Sequence, residues 1–475
     1  MQYRLKMLPG HYREMQACLL KNTAVEQGCF LLCSTAGAKN ETLLLVREVI
    51  TLASDELAIQ KKDLLSVKPE AMLRVARLAQ QQQASICMVH THPMVNGPVN
   101  FSTADDLGNV RTFRFFNRLL PEALNSCLVW NGNMRHASGR IYQTATTWDA
   151  IARIEVVGNP SLINDVAIKQ DDNDSQPQET YSRQALILGQ YGQNMLHRLR
   201  IGVIGCGGIG SCATVMLAHS GVGEIRPVDY DCVEESNRPR IPGAQPEDVL
   251  SKTPKVDVIK RYLERVSPDC RVITYKTVTE DPYIRSGLIG LDAIICTTDN
   301  TRSRAYINQL CQQYYIPLLD LGTEFVSNDQ GELVNEIGKA NLILPGTACL
   351  LCSNHIDPDR LRAETLPKNE REQLIEEGYI RGFDVHQPSM MMFNMEVAAR
   401  GIQLLLGQLA GLMAVDMLSY ERFSFLGLNR RQHHKHVRKL QQQTCLFCAP
   451  GSHHIGAGDS LPPLINSIAS ERRGG

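Results

Sequence analysis

Residues 201–240 contain the segment that most constrains the fold, because a short apolar run there meets a glycine-rich turn. The run at 201–204 is typical of a buried strand, and a second apolar run at 224–228 ends on Asp229. The turn between them carries Gly205, Gly207, Gly208 and Gly210. Glycines let a phosphate approach the backbone at a helix N-terminus, and the acid is placed to hold a ribose hydroxyl. The unit predicts a nucleotide site, and to this point a dinucleotide dehydrogenase fits it equally well.

The residues that follow favour a different chemistry. Arg240 and Lys255 would lie beside the phosphates, where an NAD-dependent dehydrogenase has no need of two cations. An enzyme that displaces pyrophosphate does need them, because negative charge builds on the phosphate oxygens in the transition state. Asp299 and Asn300 follow a later predicted strand, 292–296, and a carboxylate at that place could hold Mg²⁺. The pattern therefore indicates phosphate chemistry on ATP.

Five sequence blocks occur in order, GxGGxG, DxD, SNxxR, PK and DN. On these blocks, residues 180–448 resemble the ThiF/MoeB/ubiquitin-activating family of adenylating enzymes. The resemblance implies ATP and Mg²⁺ as cofactors, with Asp299 on the metal ion and Asp229 on the ribose. The residues that it implies for nucleotide binding are Gly205, Gly207, Gly208, Gly210, Asp229, Ser236, Asn237, Arg240, Lys255, Asp299 and Asn300. Within the SNxxR block, Arg238 and Pro239 depart from the family's usual leucine and polar residue, but Arg240 keeps its spacing.

The resemblance also bears on assembly. Arg183 matches a family arginine that reaches the ATP phosphates of the other subunit, so a homodimer is implied, with a surface arginine as the alternative. No cysteine occurs between Ser353 and Thr444, where ubiquitin-activating relatives carry their own acceptor thiol. We therefore expect the reaction to stop at the acyl-adenylate, with Cys232 in the loop after Asp231 as the alternative acceptor. An outside thiol or sulfur donor would then take the acyl group.

A second candidate site follows the predicted strand at 85–89. His90 and His92 are two residues apart at its end, so their side chains point the same way, and Asp105 opens a predicted helix. Two histidines and a carboxylate form a zinc-binding set that leaves one position open for water. The simpler alternative is a chance histidine pair with Ser102 as a helix N-cap.

The order of residues in this region resembles the JAMM/MPN metalloprotease motif, a distal glutamate followed by HxHP and SxxD. By this resemblance His90, His92 and Asp105 bind a catalytic zinc. Glu26 would be the general base, and Ser102 would help to stabilise the oxyanion. Nine residues separate His92 from Ser102, two more than is common in that family.

Two cysteine pairs predict a second metal site. They are Cys349 with Cys352 and Cys445 with Cys448. Two CxxC pairs in a reducing compartment predict a tetrahedral structural zinc site, which the ThiF/MoeB-like family also carries. A redox-active CxxC is the alternative, and it would explain one pair but not two.

Composition narrows the class of protein. The net charge of −1 gives no bulk attraction to nucleic acid or to an anionic membrane, so we expect neither as a partner. The N-terminus lacks the apolar core of a signal peptide, and polar residues interrupt the longest apolar segment, 401–418. Fifteen cysteines, an odd number scattered through the chain, argue against a disulfide framework. We expect a cytoplasmic protein.

These inferences combine into an α/β protein of two domains. Residues 1–150 form a JAMM/MPN-type metallopeptidase domain, 151–180 a polar linker, and 181–448 a Rossmann-like, mostly parallel-sheet adenylating domain with a Cys₄ zinc site. Residues 449–475 form a flexible tail that ends in Gly-Gly like a ubiquitin-like protein; its entry into the adenylation site is one hypothesis and a solvated tail the other.

The predicted function is ATP-dependent adenylation of the C-terminal glycine of a ubiquitin-like or sulfur-carrier protein. Zinc-dependent processing or deconjugation of that carrier would accompany it. One alternative is an adenylating enzyme whose peptidase-like domain is inactive and only recruits the carrier. Another is an NAD-dependent oxidoreductase, which Arg240, Lys255 and the four cysteines disfavour.

Overall fold

The computed structural model describes residues 1–165, 179–328, 330, 332–377, 388–410, 420–425, 433–434 and 441–462. The chain divides into two compact units. The first contains Met1–Ser175, Gln313–Tyr315 and His453–Pro462. The second contains Gln176–Gln312, Ile316–Ser452 and Pro463–Gly475.

The first unit is built mainly of strands. Its described strands are β1 (Gln2–Met7), β2 (Gly28–Ala38), β3 (Glu41–Thr51), β4 (Leu57–Gln60), β5 (Leu65–Val67), β6 (Ser85–His92), β7 (Ser126–Asn131), β8 (Ala137–Tyr142), β9 (Trp148–Val156) and β10 (Asn159–Asp165). Its described helices are α1 (Pro9–Leu19), α2 (Pro69–Gln82) and α3 (Thr103–Leu119), with short 3₁₀ turns at Ser54–Glu56 and Gly458–Ser460.

The main sheet of this unit has the strand order β1-β3-β2-β6-β7-β8-β9-β10, and β1 also pairs with β9, so seven strands close into a ring. Strand β2 lies between β3 and β6 and is buried on both faces, as its continuous apolar sequence requires. Its side chains alternate between two apolar clusters. Leu31 packs with α1 and Trp130, whereas Phe30 packs with α2 and α3. The end of β6 and the start of α3 are thereby held in place.

The second unit alternates strands and helices. Its described strands are β11 (Arg200–Ile204), β12 (Glu224–Val228), β13 (Arg271–Val272), β14 (Ala293–Cys296), β15 (Leu318–Ser327), β16 (Leu333–Ile343), β17 (Tyr420–Ser424) and β18 (His433–His434). Its described helices are α4 (Ser182–Arg198), α5 (Gly208–His219), α6 (Pro246–Leu250), α7 (Lys255–Val266), α8 (Pro282–Leu288), α9 (Thr301–Gln313), α10 (Pro358–Thr365), α11 (Lys368–Glu376) and α12 (Met391–Leu409). Short 3₁₀ turns occur at Glu179–Tyr181 and Arg238–Arg240.

The sheet of this unit has the order β13-β12-β11-β14-β15-β16-β17-β18. Strands β11 to β15 run parallel, and β16 to β18 pair antiparallel to their neighbours. The chain goes from β11 to β12 on one side and later returns to β14 on the other. Ligands of open α/β sheets bind at the carboxyl ends of strands where the order reverses in this way. The glycine turn, Asp229 and Asp299 all follow strands at that edge.

The predicted domain boundaries differ from the structure at two places. Residues 151–165 of the predicted linker form strands of the first unit, because buried Ile151, Ile154 and Val156 place β9 against β1 and β8. The rest of that linker, 166–178, lies outside the described residues. In the predicted tail, 453–462 belongs to the first unit, whereas 463–475, with its Gly-Gly end, lies outside the described residues.

Within the described part of the chain, no helix combines the length and the apolar character needed to cross a bilayer. The apolar segment that was predicted as a core helix begins in α12, where residues 401 and 402 and 404–409 are buried. Its continuation, 411–418, is among the residues that are not described.

Candidate functional sites

The glycine turn between β11 and α5 leaves one side open. Gly205 has φ +85°, which favours glycine, and a side chain at Gly210 would collide with the carbonyl oxygen of Gly205. Thr297 Oγ1 donates to that same carbonyl oxygen at 2.7 Å. At Gly207, in contrast, nothing lies within 4 Å of the place where a Cβ would stand. The turn is therefore packed tightly from behind and has room for a ligand at Gly207, beside the N-terminus of α5.

Asp229 connects the glycine turn to the loop after β12 through its two carboxylate oxygens. One accepts from Cys206 N at 2.6 Å, and the other accepts from Asp231 N at 2.8 Å. Burial raises the pKa of Asp229, against the opposing charge of Lys255. Because each carboxylate oxygen can accept more than one hydrogen bond, Asp229 retains capacity for a ribose hydroxyl.

Lys255 begins α7 and is mostly buried beside two acids. Its Nζ lies 2.7 Å from Asp231 Oδ2. Burial alone would lower the pKa of Lys255, but the charges of Asp229 and Asp231 raise it above its ordinary value. The side chain therefore stays cationic at neutral pH.

The loop after Asp231 brings Arg240 to the glycine turn. Arg240 ends the 3₁₀ turn Arg238–Arg240, and its Cδ lies 3.3 Å from the place of a Cβ on Gly208. Its Nη1 donates to Ser236 O at 3.5 Å. Asn237 is buried and holds the loop by accepting from Glu234 N at 2.9 Å. Pro239 lies within this short turn, so the departure from the family pattern does not displace Arg240 from the glycines.

Asp299 and Asn300 lie between β14 and α9. Asp299 is exposed, whereas Asn300 Oδ1 accepts from Ser303 N at 2.7 Å and so caps the first turn of α9. Arg183 is exposed in the first turn of α4. Of these three predicted site residues, only Asn300 is used in a described hydrogen bond of the fold.

In the first unit, three predicted metal ligands converge. His90 Nε2 lies 3.0 Å from Asp105 Oδ1, and His92 Nε2 lies 3.1 Å from Asp105 Oδ2. One ligand atom from each of the three residues lies within 4.8 Å of the other two. A tetrahedral zinc with bonds of about 2.0–2.1 Å separates its ligand atoms by about 3.3 Å. The three side chains therefore fit one zinc ion.

Asp105 and His92 each stabilise the charged form of the other. Burial alone would raise the pKa of Asp105, but hydrogen bonds from His90 and His92 outweigh it and hold that pKa well below the ordinary value. Burial alone would lower the pKa of His92, and the hydrogen bond and charge of Asp105 raise it instead. Ser102 caps α3 and donates its hydroxyl to Asp105 Oδ2 at 2.8 Å. Its hydroxyl thus orients the carboxylate.

Glu26 lies beside this set, in the loop before β2. Its Oε1 is 3.6 Å from His92 Nε2, and its side chain is 3% exposed. The backbone is held from both sides, since Glu26 N donates to Lys61 O at 2.8 Å and Gln60 Nε2 donates to Glu26 O at 3.1 Å. Burial raises the pKa of Glu26, although both histidines oppose the shift. A buried carboxylate with a raised pKa is suited to accept a proton near neutral pH.

The four cysteines of the second unit also converge. Cys349 Sγ lies 3.7 Å from Cys445 Sγ, and Cys352 Sγ lies 3.4 Å from Cys448 Sγ. All four sulfur atoms lie within 4.8 Å of one another, and none forms a disulfide. Zinc–sulfur bonds of about 2.3 Å in a tetrahedron separate the sulfur atoms by about 3.8 Å. The set fits a zinc ion better than a redox-active pair.

Two residues of the nucleotide edge were not among the predicted ones. Thr297 tightens the glycine turn, and it stands in the TTDN sequence beside Asp299, so its position was a usable signal. Asn394 of α12 is buried against Gly208, where a Cβ on the glycine would collide with its amide. Nothing in the sequence around Asn394 indicates that contact.

Several known proteins are similar to part of this chain. The tRNA threonylcarbamoyladenosine dehydratase of Bacillus subtilis is 36% identical over 142 residues, which are 29% of this chain and 54% of that protein. The SAMP-activating enzyme E1 of Haloferax volcanii is 30% identical over 176 residues, 37% of this chain and 61% of that protein. The sulfur carrier protein ThiS adenylyltransferase of Bacillus subtilis is 32% identical over 181 residues, 36% of this chain and 49% of that protein.

The chain thus spans between 49% and 61% of the length of these three relatives. The sequence profile of the ThiF family matches residues 181–442, which include the glycine turn, Asp229, Lys255 and the first cysteine pair. The ligand set of His90, His92 and Asp105 lies outside that match. Because the match covers more than half of the 475 residues and coincides with the nucleotide edge of the second unit, this chain belongs to the ThiF family.

Proposed function

We propose that this chain uses ATP to adenylate the C-terminal glycine of a ubiquitin-like or sulfur-carrier protein. The observation that carries the proposal is the pairing of an open glycine turn with two cations, Arg240 and Lys255, in a member of the ThiF family. Two of the relatives support this class of substrate by their names, which are a SAMP-activating enzyme and a ThiS adenylyltransferase.

In the proposed reaction, an oxygen of the glycine carboxylate attacks the α-phosphorus of ATP. The bond between that phosphorus and the bridging oxygen breaks, and pyrophosphate leaves as the acyl-adenylate forms. Lys255 and Arg240 stabilise the charge that develops on the phosphate oxygens, and Asp229 holds the ribose. Asp299, exposed at the same sheet edge, would hold Mg²⁺, which would neutralise charge on the phosphates.

The reaction ends at the acyl-adenylate in this proposal. An acceptor thiol must be partly exposed, and among the described cysteines only Cys18 and Cys232 are not buried. Cys18 belongs to the first unit, and Cys232 precedes Val233 in the loop that carries Arg240. Because no cysteine lies between Ser353 and Thr444, the proposed acceptor is an outside thiol or sulfur donor, with Cys232 as the alternative within the chain.

We further propose that the first unit is a zinc peptidase of the JAMM/MPN type that processes or deconjugates the same carrier. The support is the fit of His90, His92 and Asp105 to one zinc ion, with Glu26 beside them. Zinc lowers the pKa of a bound water to about 7 when it is present. Glu26 would take the proton of that water, and Ser102 would orient Asp105 and assist at the oxyanion. A carrier-recruiting domain without peptidase activity is the alternative, and cleavage of a carrier precursor distinguishes the two.

The test of adenylation is ATP–pyrophosphate exchange by the full chain in the presence of a glycine-ended carrier. Arg240→Ala and Lys255→Ala should each lower exchange about 10²- to 10³-fold, because they remove transition-state stabilisation. Arg238→Ala is the matched control, since Arg238 lies in the same 3₁₀ turn but pairs with Glu235 at 2.6 Å. Exchange that survives in both test variants would contradict the mechanism.

A further inference from the structure

Asn308 of α9 holds the loop that carries the first cysteine pair. Its side chain is fully buried, and its Oδ1 accepts from the backbone N–H of Leu350 at 2.9 Å, directly after Cys349. One helical turn further, Gln312 Oε1 accepts from Gly346 N at 2.9 Å. Residues four apart lie on one face of a helix, so these two side-chain amides accept hydrogen bonds from the same loop on one side of α9.

The side-chain amide of Asn308 also carries a donor, Nδ2. Its Nδ2 is buried and has no hydrogen-bond partner among the described residues. A buried donor without an acceptor destabilises a fold. The nearby Cys349 offers an acceptor once it is a thiolate.

The opposite end of α9 lies at the nucleotide edge of the same unit. The helix begins at Thr301, directly after Asp299 and Asn300, and Asn300 caps its first turn. Arg304 Nε donates to Thr298 O at 3.1 Å and ties the helix to the segment that follows β14. A helix of 13 residues is about 20 Å long. It thus connects the cysteine loop to the residues that are proposed to bind Mg²⁺ and ATP.

We propose that Asn308 is a positioning residue that couples the four-cysteine metal site to the nucleotide site through α9. When a metal ion is bound, the Cys349 thiolate accepts a hydrogen bond from Asn308 Nδ2, while Leu350 N continues to donate to Asn308 Oδ1. The loaded site then fixes the helix, and the helix fixes Asp299. The nucleotide end of this inference rests on the proposed function, whereas the proposed hydrogen bond from Asn308 to Cys349 does not.

The experiment uses the full chain and two readouts. The first is zinc affinity, measured by competition with a chromophoric chelator and by the thiolate-to-metal absorption of the Co²⁺-substituted protein. Asn308→Ala should weaken zinc binding at the cysteines about 10- to 100-fold, the usual effect of losing a group that orients a metal ligand. Asn308→Asp retains an acceptor for Leu350 N but replaces the donor with a carboxylate, and should weaken it at least as much. The Asn308→Asp variant also tests the proposal if the alanine variant fails to fold.

Asn341→Ala is the matched control, because Asn341 is equally buried in β16 and its side chain makes no hydrogen bond among the described residues. Its zinc affinity should equal that of the wild type. Wild-type affinity in both Asn308 variants would overturn the proposed hydrogen bond to Cys349.

The second readout is the dissociation constant of ATP without carrier, with the cysteine site loaded or stripped of metal. Removal of the metal from the four cysteines should weaken ATP binding by the wild type. Asn308→Ala should bind ATP as weakly as the metal-free wild type, both with and without metal at the cysteines. If the wild type binds ATP with the same affinity with and without metal at the cysteines, the coupling is overturned. A wild type that binds no ATP at all would contradict the proposed function, while the zinc readout would still decide the role of Asn308.

Discussion

Glu26 is the residue that most directly separates a peptidase from a mere zinc-binding domain. It does not belong to the three converging ligands, yet its carboxylate lies against His92 and is almost wholly buried. Burial of a carboxylate is unfavourable unless the group is paired, and here the backbone contacts of Glu26 keep it in place. A structural role would be served equally by a neutral side chain of the same shape. A general base requires the charge.

We therefore expect Glu26→Gln to keep the zinc and to lose catalysis. Cleavage of a carrier precursor should fall about 10²- to 10⁴-fold, the usual contribution of a general base. Zinc content of the first unit should stay at the wild-type level, measured by metal analysis of the protein. Glu48→Gln, an exposed glutamate on β3, is the control. A glutamine variant that cleaves at the wild-type rate would leave Glu26 without a catalytic role.

The convergence of His90, His92 and Asp105 follows from the local residue pattern, for a physical reason. The alternation of side chains along a strand places His90 and His92 on one side, and the capping sequence at Ser102 places Asp105 in the first turn of α3. The contacts of Asn308 and Asn394 had no such basis. A buried amide within a helix repeats no spacing, so only the packed structure reveals what it contacts.

At the scale of elements, two positions of the turn between β11 and α5 have glycine for different reasons. Gly210 is needed by the protein itself, because α5 packs against the carbonyl of Gly205. Gly207 has a negative φ and an open surrounding, so the fold alone does not require glycine there. The remaining reason for a glycine at 207 is the space that a phosphate would occupy.

The two glycines should consequently respond differently to alanine. Gly210→Ala should lower the thermal stability of the second unit, because the new methyl group has no room. Gly207→Ala should leave the melting temperature near the wild-type value but weaken ATP binding at least tenfold. Calorimetry and nucleotide titration check the pair. Equal losses of stability in both variants would refute the idea that Gly207 is reserved for a ligand.

The order of elements in the second unit was predictable, whereas the closure of the first sheet was not. A strand, a glycine turn, a helix and a strand are encoded within about thirty residues of sequence. Pairing of Tyr3 in β1 with Ile151 in β9 joins residues far apart in the chain, and no local pattern reports it. The polar composition around 171–180 also led the linker to be predicted from residue 151, across two strands.

For the whole molecule, helix α4 bears on assembly. Its first half exposes Leu186 and Ile187, which are 86% and 75% accessible, close to Arg183. Adjacent exposed aliphatic side chains are a common mark of an interface. They support the proposal of a homodimer in which Arg183 reaches the ATP of the other subunit.

Mixing two inactive variants tests that arrangement. Arg183→Ala and Lys255→Ala should each lack pyrophosphate exchange, but a mixed dimer of a twofold assembly has one site with both residues intact. Random mixing should restore about a quarter of wild-type exchange. The solution mass should be that of two chains, and Leu186→Asp should reduce it to one. A monomeric wild type, or a mixture without activity, would exclude action across the dimer.

The first unit is discontinuous along the chain, and this has a consequence for synthesis. Residues 453–462 complete it: Asp459 accepts from Gly37 N at 2.8 Å and from the hydroxyl of Tyr314 at 2.9 Å, and Ser34 donates to Gly456 O. A ribosome delivers these residues only after almost 300 others have followed β10. During most of translation, the N-terminal unit must exist without that segment. A gene fragment that stops after β10 would yield the same unfinished protein.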